Sequence, residues 1–176
     1  MTRRPVVAIT TGMMAVTSNH SQMKKILELE LFNPSYTPVE MFRMGIFGGG
    51  YFQIETKLPE EFISEMGELW PQNRKPDVSL NFYKIQCGLT LEWWKENNLI
   101  HDDDPNGWVE WYIKFHYGRR HEDDARQIKR FRSFVARHLG MLRSYQLFGR
   151  DSIKTKQNLL QWAWNHEENT IAYYRA

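Results

Sequence analysis

Trp108, Trp111, Tyr112 and Phe115 fall at i, i+3, i+4 and i+7, a spacing that an α-helix gathers onto one face. Four large rings on one stripe need burial, so the segment predicts a helix that forms the inner wall of a helix pair. Asp104-Pro105 ahead of it is a start signal, pairing a carboxylate that can cap free N–H groups with a proline suited to the first position. Gly118 ends the helix and Arg119-Arg120-His121 turns the chain. A long helix is expected over about 122–145, with Ile128, Phe131, Val135, Leu139 and Leu142 as its apolar stripe. Glu122, Asp123 and Asp124 complement its dipole. Asp123 is placed to contact Gln127, and Asp124 to contact Arg126 or Arg120.

Similar signals recur upstream. Val6–Thr11 has the β-branched composition of a short strand, and Ser21–Phe32 reads as a helix stopped by Asn33-Pro34. Thr37-Pro38-Val39-Glu40 is a capping box, followed by apolar residues to Phe47 and ended by Gly48-Gly49-Gly50. Another helix is expected from Pro59 to about Leu69. Asp77–Gln86 alternates in part and reads as a strand or an irregular segment. Thr90 caps a short helix to Asn98, and Ser152 starts a last one through Trp164.

The expected fold is mainly α, a compact helical domain of about six or seven helices, with or without a small two-stranded element. It is read as one domain over 1–176. Residues 1–19 form an arm or strand, 20–70 an acidic helical part, 71–107 a connecting part, 108–150 a basic aromatic helix pair and 151–176 a C-terminal helix.

Charge divides the same way. The net charge is +2, yet residues 20–70 carry a balance of −4 while residues 108–150 carry ten Lys/Arg and a balance of +6. A chain polarised like this can orient on a polyanion. The single cysteine, Cys87, cannot form an intramolecular disulfide and has no activating base in its local sequence. The N-terminal apolar run is too short for a secretory signal, and no stretch has the roughly 20 apolar residues of a membrane span. The expectation is a cytoplasmic protein with no membrane partner.

Most motif-like stretches have inexpensive explanations. Gly48, Gly49, Gly50 and Tyr51 invite a phosphate-loop reading, but the Gly-Lys-Ser/Thr of that motif is missing, and a helix end followed by a turn accounts for the glycines. They are kept as a possible ligand turn. His101-Asp102-Asp103-Asp104 has the composition of a metal box without the spacing of one, and His166-Glu167-Glu168 lacks the second histidine of a zinc-protease helix. No metal and no cofactor is implied, and no catalytic residue is distinguished. The arginines remain. Arg119, Arg120, Arg126, Lys129, Arg130 and Arg137 lie in the turn and along the second helix, where guanidinium forks can grip phosphate oxygens. Phosphate contact is expected from them, and base-specific reading is not.

Leu91-Glu92-Trp93-Trp94, His101 through Trp108, Trp111-Tyr112 and Gly118-Arg119-Arg120 through Arg130, together with Met41-Phe42 and Gly45 through Gly49, form a further pattern. Over about residues 30–165 the chain resembles a family of uncharacterised proteins of similar size from tailed phages, bacteria and fungi. The resemblance implies a phage- or genome-associated role and assigns no activity.

The leading functional expectation is a nucleic-acid-associated protein that binds DNA or RNA phosphates through its arginine-rich helical face. One alternative is a small enzyme acting on a nucleotide or modifying a DNA base. It requires the Gly48–Gly50 turn, Tyr51 and the Arg119-Arg120 pair to converge on one pocket. The other is a phage-type interaction or inhibitor module with a host-protein partner, which requires the tryptophans to form an exposed apolar patch.

Overall fold

The computed structural model describes residues 32–69 and 75–167. The chain divides into two units, Met1–Asn33 and Pro34–Ala176, and the described helices all lie in the second. The expected Val6–Thr11 strand and nearly all of the Ser21–Phe32 helix lie outside the described residues. Among the described residues there are six α-helices and no strand, and no helix is long and apolar enough to cross a membrane.

Helix α1 is Pro38–Arg43. Its capping box forms as expected: the Glu40 main-chain N–H donates to the Thr37 hydroxyl, and the Thr37 N–H donates to the Glu40 carboxylate at 2.7 Å. The helix is shorter than its apolar run because the chain turns at Gly45, whose φ is +70°. Ile46 and Phe47 are still buried, but from a turn. Helix α2 is Glu60–Met66 and continues as the 3-10 turn Gly67–Leu69.

Asp77–Gln86 is irregular. A 3-10 turn, Val78–Leu80, starts where the Asp77 carboxylate accepts the Ser79 N–H. Asn81 then closes the following loop by bonding both the N–H and the C=O of Ile85. These side-chain bonds occupy main-chain groups that a strand would have offered to a partner. Helix α3, Leu91–Glu96, is capped by Thr90.

Helix α4, Trp108–His116, starts differently from the expectation. Asp104 is not its cap. Gly107, at φ +87°, precedes the first turn, and Asp104 is turned to the cations Lys114 and Arg119. The aromatic stripe is buried as predicted, but Val109, Glu110 and Ile113 are buried too, so burial extends well beyond the stripe and His116 alone is exposed. Helix α5, Asp124–Leu147, buries Ile128, Phe131, Val135, Leu139 and Leu142 as its spacing predicts. Asp123 does bond Gln127, but it also takes Arg126. Asp124 accepts instead from the Trp111 indole and the His121 N–H. Helix α6, Ile153–Gln161, is capped by Ser152 and stops before Trp164, where Ala163 turns at φ +55°. Helix α6 packs on α5, and α1 packs on α4 and α2.

Candidate ligand cleft

Glu110 has no exposed surface, so its charge needs partners inside the protein. Lys114 contacts it at 2.6 Å, Asn106 donates to it from both its main chain and its side chain, and Thr56 donates a short bond. Asn106 also bonds Gln53 and Ile54, while the Tyr51 hydroxyl donates to the Asn106 carbonyl at 2.9 Å. This network sews segment 51–56 to the start of α4. On the far side, the fully buried Gln157 of α6 donates to the Ile46 carbonyl and accepts the Tyr83 N–H.

Between these two anchors lies a cleft of about 880 Å³, within the size range of small-molecule sites. Gly48, Gly50 and Tyr51 line one side, and Arg130, Phe134, Arg137 and His138 of α5 line the other. Those four α5 residues stand at i, i+4, i+7 and i+8, a single helix face. Trp94 of α3 and Trp162, after α6, also line it.

The rings are in series. Trp108 lies 4.8 Å from Trp162 between centroids, Trp162 stacks on Phe134 at 4.5 Å, and Phe134 stacks on His138 at 3.7 Å. The Arg130 guanidinium stands 5.6 Å from the Trp94 ring centre and 5.7 Å from that of Trp162, within cation–π range. Its Nη1 is used by the Leu99 carbonyl and Gln127 Oε1. Its Nε and Nη2 meet no acceptor among the described residues. Burial, followed by the neighbouring Arg126 charge, lowers the Arg130 pKa from its ordinary value. The Trp108 indole N–H is buried with no partner among the described residues. An unmet donor of this kind costs roughly 1–3 kcal/mol.

The remaining predicted cations are employed otherwise. Arg119 forms a two-pronged pair with the buried Asp104, at 2.8 and 2.6 Å. Arg126 grips Asp123. Burial works to raise the Asp123 pKa, but bonds from Arg126 and Gln127 hold it below the ordinary carboxylate value. Arg120 covers the Phe115 ring at 4.1 Å and donates to the Phe115 carbonyl. Lys129 is exposed on α5 and outside the cleft lining, as is Gly49 beyond Gly48. The convergence expected between the glycine turn and Arg119-Arg120 does not occur: Arg130 and Arg137 line the cleft with Gly48, Gly50 and Tyr51 in their place.

Gly48 supplies a close approach, but to protein. A Cβ there would lie 2.2 Å from the Asp77 carbonyl oxygen, and the Gly48 carbonyl accepts the Asp77 N–H. Cys87 also lines the cleft, where burial pushes its thiol pKa up to about 12. It is therefore protonated at neutral pH. Trp94, Phe134, His138 and Trp162 were missed as site residues, although the Arg130–Phe134–Arg137–His138 spacing was visible in the chain.

The class defined by fold and site is a mainly helical protein with an aromatic, arginine-bearing cleft. Compared with known families, curated proteins and solved structures, the chain matches none.

Proposed function

We propose that the protein binds nucleic acid and receives an unstacked nucleotide in the cleft between the Gly48–Tyr51 segment and α5. The observation that carries this reading is Arg130. Arg119 and Arg126 are neutralised by carboxylates, but Arg130 has no ion pair among the described residues and stands among rings in the cleft. A desolvated guanidinium with unused N–H groups favours an anion, and phosphate oxygens fit its fork. Exposed Arg137 and Lys154 line the same cleft, beside Asp77 and Glu92. From Ala125 to Arg150 the chain contains seven Lys/Arg and no acid, so the backbone of a longer strand has cations to follow beyond the cleft.

Rings in series next to guanidinium groups suit a base that has left its stack, which favours single-stranded over duplex nucleic acid. Titration of labelled single-stranded and duplex oligonucleotides at about 50 and about 200 mM salt tests the reading. Micromolar or tighter single-strand binding that weakens steeply with salt is expected. Arg130→Gln should weaken it roughly tenfold or more, comparable to the about 1–3 kcal/mol that one stacked base contributes. No binding at the lower salt concentration would overturn the proposal.

The enzyme reading has one supporting observation, a cleft of ligand size that includes Gly48, Gly50 and Tyr51. The protonated Cys87 offers it no ready nucleophile. Incubating the protein with nucleotides and oligonucleotides, followed by mass analysis for altered bases or cleaved phosphates, separates binding from turnover.

A further inference from the structure

His101 and His121 are 20 positions apart in the chain, yet their ring centroids are 4.8 Å apart and their planes nearly perpendicular. Two loops bring them together, and both loops are held firmly. Asp104, three residues after His101, is clamped by Arg119, two residues before His121. The His121 main-chain N–H donates at 2.8 Å to Asp124, whose other carboxylate oxygen is fixed by the Trp111 indole. Both imidazoles are partly exposed, and Glu122 projects beside them into solvent.

We infer that His101, His121 and Glu122, with Asp103 alongside, form a binding site for a divalent transition-metal ion of the Zn²⁺ or Co²⁺ type. One ligand atom from each of the first three residues can be chosen so that all lie within 4.8 Å of one another. Two ligands about 2.05 Å from a tetrahedral ion stand about 3.3 Å apart, so the group has to contract only modestly. Glu122 can supply its own share of that movement, since its side chain is 85% exposed and its Oε1 already lies 4.0 Å from His101 Nε2, and the imidazoles supply the rest by ring rotation. Asp103 Oδ2 lies 2.8 Å from His121 Nε2 and 3.7 Å from His101 Nδ1, which makes it a fourth ligand or a proton acceptor.

The donor set selects the ion. Two imidazoles with carboxylate suit zinc, cobalt or iron, whereas magnesium and calcium prefer all-oxygen shells. With Asp103 as proton acceptor, three protein ligands leave a position open for water or an anion; with Asp103 as the fourth ligand the tetrahedral shell is closed. Each Nδ1 accepts a 3.2 Å bond from the main-chain N–H two residues on, so without an ion the ring proton sits on Nε2. Coordination through Nε2 moves that proton to Nδ1 and gives up the main-chain contact. That cost makes the affinity moderate.

The test uses tag-free full-length protein dialysed against a chelator and then titrated with Co²⁺, Zn²⁺ and Mg²⁺. Binding of one Co²⁺ or Zn²⁺ per chain is expected, with visible Co²⁺ bands typical of nitrogen ligation and no competition from Mg²⁺. His101→Asn and His121→Asn should each weaken binding at least tenfold, since loss of even an outer-shell partner of a metal ligand typically costs about 10- to 100-fold. His116→Asn, outside the group and set against Tyr112 and Tyr117, should leave it unchanged. Exposed Glu122→Gln keeps the question decidable if a histidine variant fails to fold, since it should weaken Co²⁺ binding and alter the spectrum without touching the core. Absence of stoichiometric binding, or affinities and spectra indifferent to these substitutions, overturns the inference. Oligonucleotide binding is measured separately, so the result stands apart from the proposed function.

Discussion

Gly48 combines a left-handed backbone with an approach to Asp77 that leaves no room for a side chain. Its φ is +61°, and an added Cβ would meet the main chain of Asp77, which cannot swing aside as a side chain can. Gly48→Ala should therefore cost more than the roughly 1 kcal/mol of left-handed strain alone, measured as a drop in the urea midpoint with an unchanged slope. Gly49→Ala separates the two effects, because it has a similar φ of +75° but only a Leu80 methyl at 3.9 Å. It should show the strain without the collision. The arginines divide on the same physical ground. Arg119→Met leaves Asp104 buried with Lys114 as its remaining ion-pair partner, and should lose stability toward the lower end of the roughly 3–5 kcal/mol seen when buried pairs are broken. Arg130→Gln removes no ion pair and should change ligand binding more than stability. Urea unfolding of both variants checks the contrast.

At the scale of the helix, local signals act where the chain ends of an element are free. Thr37→Ala removes the hydroxyl half of the α1 capping box, leaves the main-chain N–H of residue 37 on the Glu40 carboxylate, and should cost about 1 kcal/mol, read as a shift in the urea midpoint. Thr90 and Ser152 cap α3 and α6 by the same chemistry, which is why these three starts were legible. Asp104 carried an equally good start signature and does something else. Its carboxylate has two cations within reach from α4 and the turn after it, and charge-assisted pairing in a buried setting outweighs one capping bond. The periodicity of α5 was legible for a different reason: a 24-residue helix with one buried side leaves its pattern in the sequence. Helix α4 buries seven of its nine residues, so its aromatic stripe revealed only part of its burial.

For the whole molecule, titration couples the packing to pH. Burial is the leading cause that lowers the pKa of His116, His138 and His166 from their ordinary value. Above about pH 6.5 these rings are neutral folded or unfolded. As pH falls through that value the unfolded chain takes up protons first, so stability is lost down to the depressed folded pKa of each ring, and no further below it. Urea midpoints should therefore fall between pH 7.5 and pH 5.5, and His138→Phe, which keeps a ring on Phe134, should reduce the fall. An equal drop in His138→Phe and the parent protein would mean that His138 contributes nothing to it.

The sequence by itself determined the helical class, the caps at Thr37, Thr90 and Ser152, and the buried faces of α4 and α5, because each depends on residues within a few positions of one another. Tertiary structure alone decided which charges are spent and which rings meet. The Asp104–Arg119 pair, the cleft between Gly48 and Arg130, and the approach of His101 to His121 all join residues more than ten positions apart. Which partner a side chain finds across such a distance is set by how the helices pack, and one-dimensional spacing carries no record of it.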